Sequence, residues 1–365
     1  GTEATAVWDG TVGGSFVTTG NAASAPIGKY IENYRSRMWI AGNSTYPDRV
    51  YYSSVPSAVT TPVVTWDTSV TTGQWIDISP SDGENITALH RTKAALLAFK
   101  QNHIFKIYSI TQTDPDPNFD VGTSSQESIV EAKNGVYFHH ASGFYHYNGL
   151  VQEISRPFID IVRNITQANY TKICGSIDPD GDHINWAVGN VTYNGTTYTN
   201  LVVRYSISTQ TWTHREYPTQ FLVSINRQPL YTDGTTQFAL IGDNAGNVYE
   251  LNTGLLDDTT PISYSLIHRW DNLDGLLSTR KTIMRMMFTH DGGTGSNVSY
   301  QIDGDPESDW TKKVGQLKDI DTGFDSANIK GRKVRFRISG SSRGQPFSYS
   351  GYEIIGAQNE VLQFG

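Results

Sequence analysis

A single cysteine, Cys174, stands in 365 residues, which excludes an intrachain disulfide and any cysteine-built metal cluster. Charge is also sparse. Asp, Glu, Lys and Arg make up 18% of the chain, below the roughly one quarter usual in soluble domains. No apolar run approaches the ~20 residues of a membrane-spanning helix, and no signal peptide opens the chain. The first residue is Gly rather than Met, as in a processed product or a piece of a longer protein. Enzyme signatures are missing too: there is no Walker loop, dinucleotide fingerprint or His-Glu-x-x-His.

What is present points to β-structure. Gly, Thr, Ser, Asn and Tyr are abundant, and 8 Trp, 14 Phe and 20 Tyr supply a core. Polar β-formers mixed with turn residues suit short strands and tight turns. The net charge of −8 is unevenly placed. Residues 258–365 hold 13 acids and 13 bases, so the remaining 23 acids and 15 bases fall in the first 257 residues. An acidic body argues against tight nucleic-acid binding, which needs clustered Lys and Arg.

A strand–turn–strand unit recurs. Ala95–Phe99 and Ile104–Tyr108 flank a polar turn; Gly135–Phe138 and Phe144–Gly149 flank Ala141-Ser-Gly143; Gln237–Ile241 and Asn247–Leu251 flank Asp243–Gly246. Looser versions are Arg37–Ile40 with Arg49–Tyr52, and His183–Ala187 with Leu201–Tyr205. Each reads as a hairpin. Their spacing of roughly 40 to 50 residues is that of propeller blades, and stacked blades supply the shared core that one hairpin lacks.

One segment breaks the repeat. In Ser155–Ile165, Phe158, Ile161, Val162 and Ile165 fall at helical spacing, with Ser155 as N-cap and Pro157 in the first turn. The expectation is a short helix packed on a blade edge. Near Leu255–Pro261 the repeat stops. Beyond it, Lys333–Ile338 alternates strictly, with Val334, Phe336 and Ile338 on one face and Lys333, Arg335 and Arg337 on the other. With Ile283–Phe288, Val298–Ile302 and Tyr352–Ile355, this predicts a β-sandwich. The reading is therefore all-β: a β-propeller of divergent blades over 1–257 followed by a C-terminal β-sandwich over 258–365.

Several of these segments carry a resemblance. Tyr34–Gly42 followed by Asp48–Ser53, Gly83–Ala88 leading into Leu96–Lys100, and Gly331–Ile338 with Gly344–Ser348 and Gly351 resemble segments of bacteriophage virion proteins. The family is the β-propeller tail proteins of short-tailed phages: packaged-DNA stabilisation proteins, tail accessory factors and nozzles. The resemblance implies a structural virion protein of the tail or head–tail connector. It would form a homo-oligomeric ring, commonly sixfold, against portal-adaptor and other tail proteins, and retain or conduct packaged DNA without specific recognition. It implies no catalytic residue, cofactor or metal. Family members carry further strands before the region matching Trp8-Asp-Gly10, so it also implies a preceding N-terminal part. An acidic propeller would suit a conduit that repels phosphate.

Each candidate site also has a plain structural role. Asp178-Pro-Asp-Gly-Asp182 has alternating oxygen ligands, but Gly189 stands where an EF-hand needs Glu, so an Asp-Gly turn is the expectation. Asp303-Gly-Asp305 reads the same way. His139, His140 and His146 share one hairpin, yet adjacent strand residues point to opposite faces, so hydrogen bonding is expected rather than a metal. Arg332, Lys333, Arg335, Arg337 and Arg343 form the one basic cluster of note: a solvated strand face, a phosphate contact or a surface for an acidic neighbour. The rival function is a carbohydrate-binding or glycan-degrading propeller at the tail tip. It would need converging carboxylates from candidates such as Asp48, Glu84, Asp178 and Glu216, with Trp66, Trp75, Tyr145 and Tyr147 as ring platforms.

Overall fold

The computed structural model describes residues 24–56, 65–115, 120–193, 195–217 and 260–360 apart from 273–279, 308, 319, 326 and 342–346, with short segments between 224 and 257. The chain divides into two compact units, Gly1–Leu251 and Asn252–Gly365.

The first unit is a β-propeller of divergent blades. Four four-stranded antiparallel meanders follow one another in chain order. The first holds β1 (Tyr30–Tyr34), β2 (Arg37–Ala41), β3 (Arg49–Tyr52) and β4 (Trp75–Asp77); the second β5 (Ala88–Arg91), β6 (Leu96–Phe99), β7 (Ile104–Ser109) and β8 (Gln112–Pro115). The third holds β9 (Val130–Ala132), β10 (Gly135–His140), β11 (Gly143–Tyr147) and β12 (Val151–Glu153); the fourth β13 (Cys174–Ile177), β14 (His183–Tyr193), β15 (Thr196–Ser206) and β16 (Thr211–Glu216). Next come β17 (Ser224–Ile225), β18 (Tyr231–Thr232), β19 (Gln237–Phe238), β20 (Leu240–Gly242) and β21 (Val248–Glu250), with β17, β20 and β21 in one sheet and β18 paired to β19. The expected partner of Asn247–Leu251 is thus β20, while Gln237–Phe238 pairs elsewhere. A small hairpin, β22 (Leu256–Asp257) with β23 (Thr260–Pro261), follows.

The blades stack face on face, and each gap is filled by apolar residues from both sides. Trp39, Ala41 and Val50 of the first blade meet Leu89, Leu96 and Ile107 of the second. Leu97, Phe99 and Ile104 on its opposite side meet Val136, Phe138 and Tyr147 of the third. Val130, Tyr137 and Phe144 then meet Ile184, Trp186 and Val203 of the fourth. Strand alternation makes this possible, because successive residues of a middle strand serve different gaps. All four residues of β6 are accordingly buried. The first strands of adjacent blades touch, β1 with β5 and β9 with β13. Gly175 permits one such approach: a Cβ there would sit 2.6 Å from Trp186 Cδ1 and 2.7 Å from Val130 Cγ2.

The segment after the third blade is helical but short, with a 3₁₀ turn at Arg156–Phe158 running into α1 (Ile159–Val162). Ile161, Val162 and Ile165 are buried in the third gap, and Phe158 stacks on Trp212 at 5.6 Å. Ser155 does not cap it. Its hydroxyl instead accepts the Phe144 N–H at 3.0 Å, because the helix start lies against β11 and that amide needs an acceptor.

The first hairpin is strained. Tyr34 pairs with Arg37 across a two-residue loop, and Arg35 and Ser36 have φ of 51° and 59°. Such turns favour Asn-Gly, since a Cβ costs about 1 kcal/mol or more in this region. Arg35 is retained by other contacts: its guanidinium donates to the Tyr108 carbonyl at 2.6 Å and lies 5.3 Å from the Tyr34 ring centre. Ser36→Gly is expected to raise stability by about 1 kcal/mol, read as a higher denaturant midpoint with unchanged slope. A fall in midpoint would show that Ser36 is not strained.

The second unit is a β-sandwich. One sheet runs β24 (Ser263–Ile267), β30 (Val334–Ser341), β26 (Asn297–Ile302), β27 (Lys313–Gln316). The other sets β25 (Arg280–Gly292) between β31 (Phe347–Glu360) on one side and β28 (Ile320–Phe324) with β29 (Ile329–Gly331) on the other. Met286 and Phe288 from one sheet meet Val298, Val334, Phe336 and Ile338 from the other. The inner face of β30 is the one that its alternation foretells.

Candidate functional site

Several charged groups of the propeller hold strands and blades together. The Lys100 side chain, fully buried at the end of β6, donates to Asp48 Oδ1 and to both Asp82 oxygens, each at 2.8 Å, and to the Ser79 carbonyl at 3.1 Å. Asp48 precedes β3 and Asp82 lies between the first two blades, so one ammonium ties both. Burial pushes the Asp82 carboxyl up, but bonds from Lys100 and the Glu84 amide outweigh it and hold it below the usual range. Arg49 forks onto Asp77 at 2.8 and 3.2 Å and lies 3.5 Å from the Trp75 ring centre. Glu84 accepts from Asn102 and faces His103 Nδ1 at 3.0 Å. Glu216 accepts the Thr199 N–H at 2.7 Å. The acidic candidates Asp48, Glu84, Asp178 and Glu216 therefore serve separate structural contacts. Of the ring candidates, Tyr147 is buried between the second and third blades, with Tyr145 packed against that cluster.

The Asp178–Asp182 segment is the turn between β13 and β14. Asp178 is buried and accepts from Asn185 at 2.6 Å and from Arg204; Asp180 Oδ2 faces His183 Nδ1 at 2.7 Å; Asp182 binds Ser206 and Ser208, each at 2.9 Å. Ligand atoms of Asp178, Asp180 and His183 lie within 4.8 Å of one another. However, the Arg204 guanidinium already neutralises Asp178 where a cation would sit. A calcium titration is expected to leave the melting temperature unchanged relative to excess chelator, whereas a clear rise would establish a cation site. Asp303 and Asp305 likewise serve a turn. Asp303 accepts the Arg332 amide at 2.6 Å, and Asp305 pairs with Lys312.

The three histidines of the third blade go to different partners. His140 Nε2 meets Asn102 Oδ1 at 3.1 Å, and His146 Nε2 meets the Asn134 carbonyl at 3.1 Å while stacking on Tyr137. His139 is buried edge-on to Phe144 at 5.1 Å, and neither ring nitrogen has a hydrogen-bond partner.

A cavity of about 890 Å³ opens among the first strands of the blades, lined by Glu32, His90, Arg91, Lys93, Glu131 and Lys133 among others. Burial pushes the Glu131 carboxyl up, with Glu32 adding and Arg91 and Lys93 opposing. His90 Nε2 lies 3.7 Å from Glu131, and Arg91 Nε lies 3.8 Å from Glu32. With Lys106 also on the lining, bases outnumber acids around this cavity. Only blade stacking brings these residues together: Glu32 comes from β1, His90 and Arg91 from β5, and Glu131 from β9.

The basic cluster is ordered in an unexpected way. The side chains of Lys333 and Arg335 lie 4.5 and 4.6 Å from the Trp270 ring, and those of Arg335 and Arg337 lie 5.3 and 4.8 Å from the Trp310 ring. Cations and indoles thus alternate across the outer face of β30. Gln301, fully buried, accepts from Arg335 Nε at 2.7 Å and donates to the carbonyls of Pro306, Glu307 and Asp309, fixing the loop that presents Trp310. Burial pulls the Arg337 guanidinium down, and its Nε is buried without a partner. Arg332 is exposed. Arg343 lies outside the described residues, as does the Trp8–Gly10 segment.

No family model matches this chain, and no curated protein does. Solved structures give low likenesses. The β-propeller domain of Nup133 from Vanderwaltozyma polyspora is 12% identical over 87% of this chain and 84% of that one, at TM-score 0.29. Hsv2 from Kluyvelomyces marxianus is 8% identical over 60% and 57%, at 0.30. An exo-β-1,3-galactanase from Phanerochaete chrysosporium is 10% identical over 95% and 98%, at 0.27.

Proposed function

We infer that this chain is a non-catalytic structural component of a phage tail or head–tail connector, assembled as a ring of identical copies in the virion. The observation that supports this reading is how the propeller's ionisable groups are used. Lys100 with Asp48 and Asp82, Arg49 with Asp77, and Arg204 with Asp178 form half-buried or buried pairs that fix strands and blades. Such pairs favour a rigid, uniquely packed body over exposed reactive groups. The segments resembling short-tailed phage proteins supply the rest of the reading. In the virion such a ring would sit below the portal and retain or conduct packaged DNA. Electron microscopy of the purified chain tests it. A closed ring is expected, and a monomer that stays single with portal or adaptor proteins would overturn it.

The cavity favours a second reading. Glu32 and Glu131 share it with Tyr108 and Tyr147, and carboxylates beside rings suit a saccharide. Saturable glycan binding that Glu131→Gln abolishes would favour a carbohydrate-binding propeller over the ring.

A further inference from the structure

The cations along β30 are held differently from the buried cations of the propeller. In the propeller, Arg49, Lys100 and Arg204 each meet a carboxylate. On the outer face of this strand, Lys333, Arg335 and Arg337 form no ion pair among the described residues and lean on the faces of Trp270 and Trp310 instead. An indole face attracts a cation but carries no net charge, so stacking on Trp270 and Trp310 leaves the charge of Lys333, Arg335 and Arg337 in place. Stacking also holds the long side chains in place, which removes much of the entropy cost of docking them. Arginine and tryptophan together are the residues most often central to protein interfaces.

We propose that this tryptophan–arginine ladder docks against the acidic propeller surface of a second copy of the chain. The proposal rests on the ring reading and names the contact that would close it. A cyclic ring larger than a dimer needs a heterologous interface, in which one patch meets a different patch on the next copy. The charge distribution supplies two unlike surfaces. The whole net charge of −8 lies in residues 1–257, while residues 258–365 are neutral overall and gather three bases without an ion pair on one strand face. The propeller's exposed acids include Asp120, Glu127, Glu153 and Asp160.

Sedimentation velocity on the full chain tests this, comparing wild type with Arg332→Glu/Lys333→Glu and, separately, with Arg337→Gln. Arg332 and Lys333 lie outside the sandwich core, so the double variant is expected to melt as wild type does. Its self-association is expected to weaken at least tenfold, and wild-type assembly to weaken in about 0.5 M salt, where exposed charges are screened. A ring that forms equally well in both variants overturns the ladder contact and leaves the ring reading standing. A wild-type chain that stays monomeric at every salt overturns the ladder contact, and one that also stays single with portal or adaptor proteins overturns both. Binding of a labelled DNA duplex that is lost in the double variant, with assembly unaffected, assigns the stripe to phosphate and overturns the proposal.

Discussion

Replacing Lys100 with Ala should lower stability by about 3 kcal/mol or more, near the range for breaking a buried ion pair. The geometry explains why. The ammonium is completely enclosed, and Asp48 and Asp82 keep only 21% of their side-chain surface in water. Removing the cation leaves two carboxylates close together in a poorly solvated site, where their repulsion adds to the lost hydrogen bonds. The first thermal transition should fall by roughly 10 °C, given about 2–4 °C per kcal/mol for a unit of this size. Lys100→Met alone should do nearly as badly, because it keeps the packing and still strands the carboxylates. Adding Asp48→Asn and Asp82→Asn to Lys100→Met should restore most of the loss, since neutral amides can satisfy one another without a cation. If Lys100→Met melts like wild type, the site contributes packing alone and no electrostatic tie exists between the first two blades.

How much of this was readable in the sequence depends on where each residue sits in a blade. The middle strands were legible because they serve a gap on each side and are nearly continuous apolar runs, as in Leu96–Phe99. The outermost strands were not. Trp75–Asp77 and Val151–Glu153 are short and half exposed, so they carry no periodic signal, and Thr211–Glu216 reads as a polar loop. The β30 face was legible from strict alternation, since its inner residues meet a sheet and its outer ones do not. Its partners were hidden: Trp270 and Trp310 lie on loops far from β30 in sequence, and only sandwich folding sets them over Lys333, Arg335 and Arg337. The Lys100 tie was hidden for the same reason. Its carboxylates come from two other loops, and nothing local marks the lysine as buried. Ser155 looked like a cap because its type and position fit, but a competing acceptor demand from the Phe144 amide took its hydroxyl.

Acid should destabilise the propeller well before its carboxylates protonate, and His139 is the main reason. Burial, with a smaller push from His140, lowers its pKa from 6.5 to about 3. Above pH 6.5 folded and unfolded chains both hold a neutral imidazole there, so the full stability is present. As pH falls below 6.5 the unfolded chain binds a proton that the folded one refuses, and stability is lost progressively toward pH 3. The slope from this one group approaches 1.4 kcal/mol per pH unit. Burial pulls His140, His146 and His214 down as well, so they steepen the same limb. His139→Leu keeps a similar volume against Phe144 and Tyr170 and removes two ring nitrogens that lack hydrogen-bond partners. At pH 7.5 it should be neutral or mildly stabilising, because no bond is lost and an unsatisfied polar group disappears. Between pH 6 and 4.5 its stability should decline more gently than wild type, leaving the variant ahead by about 2 kcal/mol at the lower end. Urea denaturation across that range measures this directly. Parallel curves for the two proteins would mean that the imidazole finds a partner or a proton in the folded state, and acid lability would then have to come from the other histidines.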